Sequence, residues 1–238
     1  MTKHIPNFVT SLNLFCGCLA IVFSFSGYLE WAAAMIGLAA IFDFLDGLLA
    51  RVLNVHSEIG KQLDSLADMV TFGVTPGVIL FELFNRALLG NYPLLPFFAF
   101  VITVFSAIRL AKFNLDTRQT NSFIGVPTPA NAILVASFPL IMQYQAHWAG
   151  IMWTNIFLNV FFLIIFTALM SYLLIAEIPL FALKFKDFSF KNNSLRFVFL
   201  GISLLLLIIC RFVGIPIILF LYLIFSLINN KFLKPNEI

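Results

Sequence analysis

Charge is what this chain of 238 residues has least of: only 11% of its positions are Asp, Glu, Lys or Arg. An ordinary soluble domain carries about a quarter, so that class is excluded. Fourteen Lys and Arg against eleven Asp and Glu give a net charge of +3, and no nucleic-acid partner is expected. Cysteine is scarce as well. Cys16, Cys18 and Cys210 are odd in number and have no Cys or His cluster near them, so they are read as small buried apolar residues without a disulfide or metal role. There is no low-complexity tail, no convincing internal repeat and no polar stretch long enough for a soluble domain. Residues 1–15 contain no small-residue cleavage site before the apolar run continues, so no cleavable signal peptide is expected.

What fills the space is apolar. The chain is 61% hydrophobic, holds thirty phenylalanines and has a mean hydropathy of +1.02. Several runs reach the ~20 residues that cross a bilayer as a helix. They are continuous rather than alternating, which argues against a transmembrane β-barrel. The expected fold class is all-α, a polytopic membrane helix bundle. Its spans fall at roughly residues 9–28, 31–53, 58–84, 94–113, 127–146, 150–176, 195–210 and 213–229. Trp31, Tyr92, Trp148 and Trp153 near the span ends suit an interfacial aromatic belt. Gly73 and Pro76 inside the third span predict a kink.

The basic residues orient this arrangement. With the N-terminus in the cytoplasm, only Arg86 and Arg211 fall outside, and the other twelve of the fourteen Lys and Arg fall inside. Both termini and the turn between Arg51 and Lys61 are expected at the cytoplasmic face of the cell membrane. The polar connection 182–194 reads as a cytoplasmic loop or a basic contact for anionic lipid.

Against that background, residues 43–68 are anomalous. They read DFLDGLLARVLNVHSEIGKQLDSLAD, and carboxylates so close to apolar helices need partners, water or cations. On a helix, Asp43, Asp46, Gly47, Ala50 and Arg51 share an arc of about 140°. On the next, Gly60, Asp64 and Asp68 repeat at i,i+4. A short connection lets the two stripes face each other. Four converging carboxylates suit hard divalent cations such as Mg²⁺, Mn²⁺ or Ca²⁺. Gly47 and Gly60 leave room for close helix packing or a bulky ligand, and Arg51 can pair with phosphate. Metal, arginine and small residues together point to a phosphoanhydride substrate. Two other readings stand beside this one. Helix-end salt bridges to Arg51 and Lys61 leave two carboxylates unneutralised. A cation-coupled transporter fits isolated carboxylates better than a glycine-spaced cluster at one face.

The arrangement Asp43-x-x-Asp46-Gly47-x-x-Ala50-Arg51, eight residues, then Gly60-x-x-x-Asp64-x-x-x-Asp68 resembles the signature of the CDP-alcohol phosphatidyltransferases at every fixed position. Gln62–Asp68 with Phe72, Gly73, Val74 and Pro76 is similar to the phosphatidylserine synthase branch of that family. So are residues 109–114 and the run of Phe123, Gly125 and Pro127–Ala130; Lys112 stands where that branch usually has arginine. The resemblance covers roughly residues 5–185. It implies a six-helix core, residues 1–185, that carries catalysis, followed by a C-terminal transmembrane hairpin, residues 186–238.

It also implies an enzyme that moves a phosphatidyl group from CDP-diacylglycerol to the hydroxyl of L-serine and releases CMP. By resemblance, Asp43, Asp46 and Asp64 bind metal, Mg²⁺ or Mn²⁺ in two sites. Asp68 acts as general base and helps hold the second ion. Gly47, Ala50, Arg51 and Gly60 line the CDP site, with Thr10 and Asn13 closing it from the first helix. Arg109 and Lys112 are candidates for the serine carboxylate, and Ser65, Asn114 or Asp116 for further polar contacts. Glycerol-3-phosphate or inositol phosphate remain alternative acceptors. Membrane lipids surround the protein, and a homodimer is implied by the family.

Overall fold

The tertiary structure, a computed structural model, describes residues 4–55, 57–115, 122–181 and 190–232. Among them the helices are α1 (Ile5–Phe25), α2 (Leu29–Val52), α3 (Glu58–Asp68), α4 (Thr75–Leu88), α5 (Val101–Leu115), α6 (Thr128–Tyr144), α7 (Ala146–Phe157), α8 (Val160–Ile175), α9 (Phe190–Cys210) and α10 (Gly214–Phe232). His56, Asp116, Arg118, Lys184, Lys186 and the terminal Lys3 and Lys234 lie outside the described residues.

Among the described residues, five stretches are long and apolar enough to cross a membrane: Ile5–Phe25, Leu29–Val52, Glu58–Leu88, Leu95–Leu115 and Arg196–Ile228. Large apolar side chains such as Phe8, Phe15, Phe44, Phe161 and Ile165 lie exposed on outer helix faces. Lipid accepts such faces and water does not. The chain is a membrane protein built as a helical bundle.

Helix α1 shows why the bundle closes tightly. Its buried positions are Pro6, Thr10, Asn13, Cys16, Gly17, Ala20 and Ser24, a stripe of small and polar residues at three- and four-residue spacing. Helix α2 answers with Ala32, Ala33, Ile36 and Ala39, and small side chains let the backbones approach. A Cβ on Gly17 would collide with Thr71. Cys16 is buried in this seam, but Cys18, about 200° further round, is exposed. That corrects its reading as a buried residue.

The break in the third span differs from a simple proline kink. Met69–Val74 forms a π-helical turn directly after Asp68, and Pro76 sits in the first turn of α4. Proline is tolerated there because its missing N–H would be unpaired anyway. The backbone N–H and the hydroxyl of Thr75 both reach the carbonyl of Val70, the hydroxyl at 3.0 Å. The hydroxyl of Thr103 donates to Gly73 O at 3.0 Å. The turn is thus satisfied from neighbouring helices.

The expected span 150–176 is also divided. Helix α7 stops at Phe157, and α8 restarts with Asn159 as its cap, accepting from the Phe162 N–H at 3.1 Å. Asparagine favours that role over a helix interior. Among the described residues a short antiparallel ladder, β1 (Ser122–Ile124) on β2 (Pro179–Phe181), ties the start of α6 to the end of α8. Beside it Gly125 adopts φ +73°, and a Cβ there would sit 2.6 Å from Leu174 O. Only glycine fits.

Helices α9 and α10 fold back on each other through Arg211–Val213, with the Phe199 ring tilted against Tyr222 at 5.7 Å and Phe225 at 6.0 Å between centroids. Gln145, buried between α6 and α7, grips this reversal. Its Nε2 donates to Cys210 O at 2.8 Å, and its Oε1 accepts from Val213 N–H at 2.9 Å.

Candidate active site

Helices α1, α2 and α3 enclose a cavity of about 520 Å³ at the end of the bundle where α2 turns into α3. Thr10, Asp46, Gly47, Ala50, Gly60 and Asp64 line it, as the sequence leads one to expect. Asn7, Ser57, Glu58 and Lys61 line it too and were not singled out from sequence. Ser57 caps α3, its hydroxyl accepting from the Gly60 N–H at 2.9 Å. A Cβ on Gly60 would stand 2.8 Å from both Asn7 Oδ1 and Ser57 Oγ. The absence of a side chain at Gly60 lets Asn7 and the cap share that wall. A Pro-Asn pair one turn ahead of Thr10 is the signal the sequence offers for it.

Beyond the cavity, Asp43, Asp64 and Asp68 bring one carboxylate oxygen each within 4.8 Å of one another. All three are half-buried. The fourth aspartate is placed differently. Asp46 is buried, and its Oδ2 accepts the Thr10 hydroxyl at 2.6 Å, a short charge-assisted bond. It remains close enough to repel Asp43 and Asp64. Carboxylates so crowded require positive charge, and the described surroundings supply little.

Asn13 does not line the cavity. It is fully buried one helical turn past Thr10, and its Nδ2 donates to Asp68 Oδ1 at 3.2 Å. The Thr71 hydroxyl donates to the Asn13 backbone carbonyl at 3.1 Å. The side-chain Oδ1 of Asn13 meets no donor among the described residues. An orphaned oxygen beside three carboxylates is a donor set for a hard cation. Arg51 is exposed instead of lining the cavity, and its Nε donates to Gly47 O at 2.9 Å. Its guanidinium therefore lies along α2 beside Gly47, at the rim.

The acceptor candidates separate into two groups. Arg109 on α5 is buried, its guanidinium 5.2 Å from the Phe113 ring centroid, and it interacts electrostatically with Asp68. Its Nε meets no acceptor among the described residues. Ser65 and Asn114 pair with each other: Asn114 Nδ2 donates to Ser65 Oγ at 2.9 Å, and Ser65 donates to Lys61 O at 3.2 Å. That pair fastens α3 to α5. Lys112 is exposed near the end of α5.

Comparison with known proteins places this geometry. The sequence pattern of the CDP-alcohol phosphatidyltransferases matches residues 3–167. The chain is similar to the CDP-diacylglycerol–serine O-phosphatidyltransferase of Helicobacter pylori strain 26695, 31% identical over 238 residues, covering 98% of this chain and 93% of that protein. It is similar to the enzyme of the same name from Mycobacterium leprae, 36% identical over 186 residues, or 74% of this chain and 57% of that one. The Methanocaldococcus jannaschii protein of that name is 37% identical over 143 residues, 59% of this chain and 63% of that one.

Proposed function

Because the chain belongs to the CDP-alcohol phosphatidyltransferase family, we propose that it transfers the phosphatidyl group of CDP-diacylglycerol to L-serine, yielding phosphatidylserine and CMP. The observation that carries this reading is the meeting of Asp43, Asp64 and Asp68 beside a cavity lined by Thr10, Gly47, Ala50 and Gly60. A nucleotide fits a cavity of about 520 Å³ walled by small residues. The names of the relatives, at 31–37% identity, supply serine as the acceptor.

Asp43, Asp64 and Asp68 would hold one divalent cation, and Asp46 with the free oxygens of the cluster would help hold a second. Bound there, Mg²⁺ or Mn²⁺ neutralises the crowded carboxylates and withdraws charge from the pyrophosphate of the donor. The residues do the rest. Thr10 fixes one oxygen of Asp46 and leaves the other free. Asn13 donates to Oδ1 of Asp68, and the Asp43 carboxyl is in hydrogen-bond contact with the same group, so Asp68 is held at the centre of the cluster, where it would accept a proton. As the serine oxygen bonds to the β-phosphorus, its proton passes to Asp68, the bond from that phosphorus to CMP breaks, and CMP leaves. Arg51 at the rim faces the phosphates, and Lys61 at the mouth adds positive charge near the nucleotide. Arg109 pairs with the serine carboxylate. Lys112, Ser65 and Asn114 stand at the approach from water.

The basic residues favour a protein in the cell membrane with both termini and the cavity mouth toward the cytoplasm. Residues 1–185 form the catalytic unit in this reading, and residues 186–238 an attached hairpin. Family membership supports a homodimer.

The test is an acceptor panel. Purified protein with CDP-diacylglycerol and Mn²⁺ should release CMP with L-serine and label phosphatidylserine. CMP release with glycerol-3-phosphate or inositol phosphate in place of serine moves the acceptor and keeps the family. Ion flux in sealed vesicles without CMP release would overturn the enzyme reading in favour of a transporter.

A further inference from the structure

Buried polar groups normally find partners, and each exception calls for an explanation. Outside the aspartate cluster, five such exceptions fall on three neighbouring helices: Arg109 on α5, Thr128 and Asn131 on α6, Thr167 and Ser171 on α8. None is more than 7% exposed. Asn131 is the extreme case. It is fully buried, and among the described residues neither its Oδ1 nor its Nδ2 has a hydrogen-bond partner.

Two anchors set the level of these residues. At one end, the Val126 N–H donates to Leu173 O at 3.0 Å. At the other, Phe138 meets Phe166 edge-on at 4.9 Å. Helices α6 and α8 therefore run antiparallel, and Asn131 and Ser171 both fall between the same two anchors. Asn131 lies seven residues before Phe138, about 20° away on the helix surface, so it shares the face that Phe138 turns toward α8. Thr128 is one turn earlier on an adjoining line. Helix α5 packs along α8 and contributes Arg109, which interacts with Asp68. The unsatisfied groups of α6 and α8 thus share one layer, and Arg109 on α5, which packs against α8, connects that side of the bundle to the proposed base.

We propose that this layer is the acceptor pocket and that the Asn131 carboxamide is the residue that selects the amino-acid zwitterion. The inference rests on the serine reading above and deepens it. The chemistry matches group by group. Arg109 Nε and Asn131 Nδ2 are donors for a carboxylate. Asn131 Oδ1 and the hydroxyls of Thr128 and Ser171 are acceptors for an ammonium. The serine hydroxyl is then left on the side of Asp68. One cation and four neutral groups suit a molecule of zero net charge. A phosphorylated alcohol would bring two negative charges to a layer with one positive one.

An Asn131→Leu variant separates this role from a structural one. Leucine keeps the branched outline of asparagine with somewhat more volume, and removing two unpaired buried groups offsets the cost of the tighter fit where no ligand needs them. The full-length enzyme with Mn²⁺ should keep its Tm and its KM for CDP-diacylglycerol within about twofold. Its KM for L-serine should rise at least about tenfold, the loss of one or two hydrogen bonds to charged groups. The preference for serine over ethanolamine, which lacks the carboxylate, should collapse, and Asn131→Gln should recover part of it. A serine KM unchanged in Asn131→Leu overturns the proposal. So does a lowered Tm with both KM values rising together. Wild-type enzyme that is inert with serine but active with another acceptor overturns the parent reading, and this one with it.

Discussion

Asn13 on α1 and Asp68 at the end of α3 are joined by a hydrogen bond of 3.2 Å, with the amide donating to Oδ1 of the carboxylate. The bond crosses 55 residues of sequence and is made just before the π-turn that follows Asp68. It holds the proposed base in one orientation beside Asp43 and Asp64. Such supporting contacts matter at metal sites nearly as much as the ligands.

Asn13→Ala should lower kcat about 10- to 100-fold while the KM for CDP-diacylglycerol changes little. Asp68→Asn should lower turnover by about 10³-fold or more, with nucleotide binding retained. Steady-state CMP release and a CDP-binding titration check both. If Asn13→Ala raises the KM for CDP-diacylglycerol and spares kcat, Asn13 belongs to the nucleotide wall instead.

Chelation of divalent ions should abolish CMP release, and Mn²⁺ or Mg²⁺ should restore it. Saturating cation should raise Tm, since an ion at 100 times its Kd contributes about 2.7 kcal/mol to stability. Asp43→Asn and Asp64→Asn should lose that cation-dependent shift. A variant that keeps the whole shift removes its residue from the ligand set.

Thr10→Val keeps the shape of the side chain and deletes the 2.6 Å bond to Asp46. Leaving a buried carboxylate short of a donor should destabilise the protein by about 1–3 kcal/mol, read by thermal unfolding without added cation. Saturating Mn²⁺ should recover part of the loss. Equal stability of the two proteins in both conditions would show that the bond contributes nothing.

Gln145→Ala removes both bonds that clasp the turn between α9 and α10. The expected cost is about 1–3 kcal/mol, with faster amide exchange at residues 211–213 and serine turnover preserved. Loss of turnover along with the exchange effect would make the hairpin part of the catalytic unit.

Much of the site was legible because its residues lie on two consecutive helices. The 100° step per residue puts Asp43 with Asp46 and Asp64 with Asp68 whatever the rest of the chain does. The partition among them was not legible. Which three carboxylates meet depends on the rotation of α2 against α3 and α1, and that is set by the small-residue seam of Gly17, Ala32, Ala33 and Ala39. Asn7 and Asn13 were ambiguous for the same reason. One faces the cavity and the other faces Asp68, and only the docking of α1 decides which. The division at Asn159 escaped a hydropathy reading because Leu158 and Asn159 interrupt an apolar run without changing its average.

The sequence by itself determined the medium, the helical class, and the placing of closely spaced carboxylates beside glycines on two consecutive helices. Those follow from local composition and helical period, which need no knowledge of neighbours. Tertiary structure alone decided that Asp46 is tied to Thr10, that Asn13 orients Asp68, and that Arg109, Thr128, Asn131, Thr167 and Ser171 are buried with polar atoms that meet no partner among the described residues. Each of these joins helices far apart in sequence, and whether a buried polar group is satisfied depends on which helix face is brought against it.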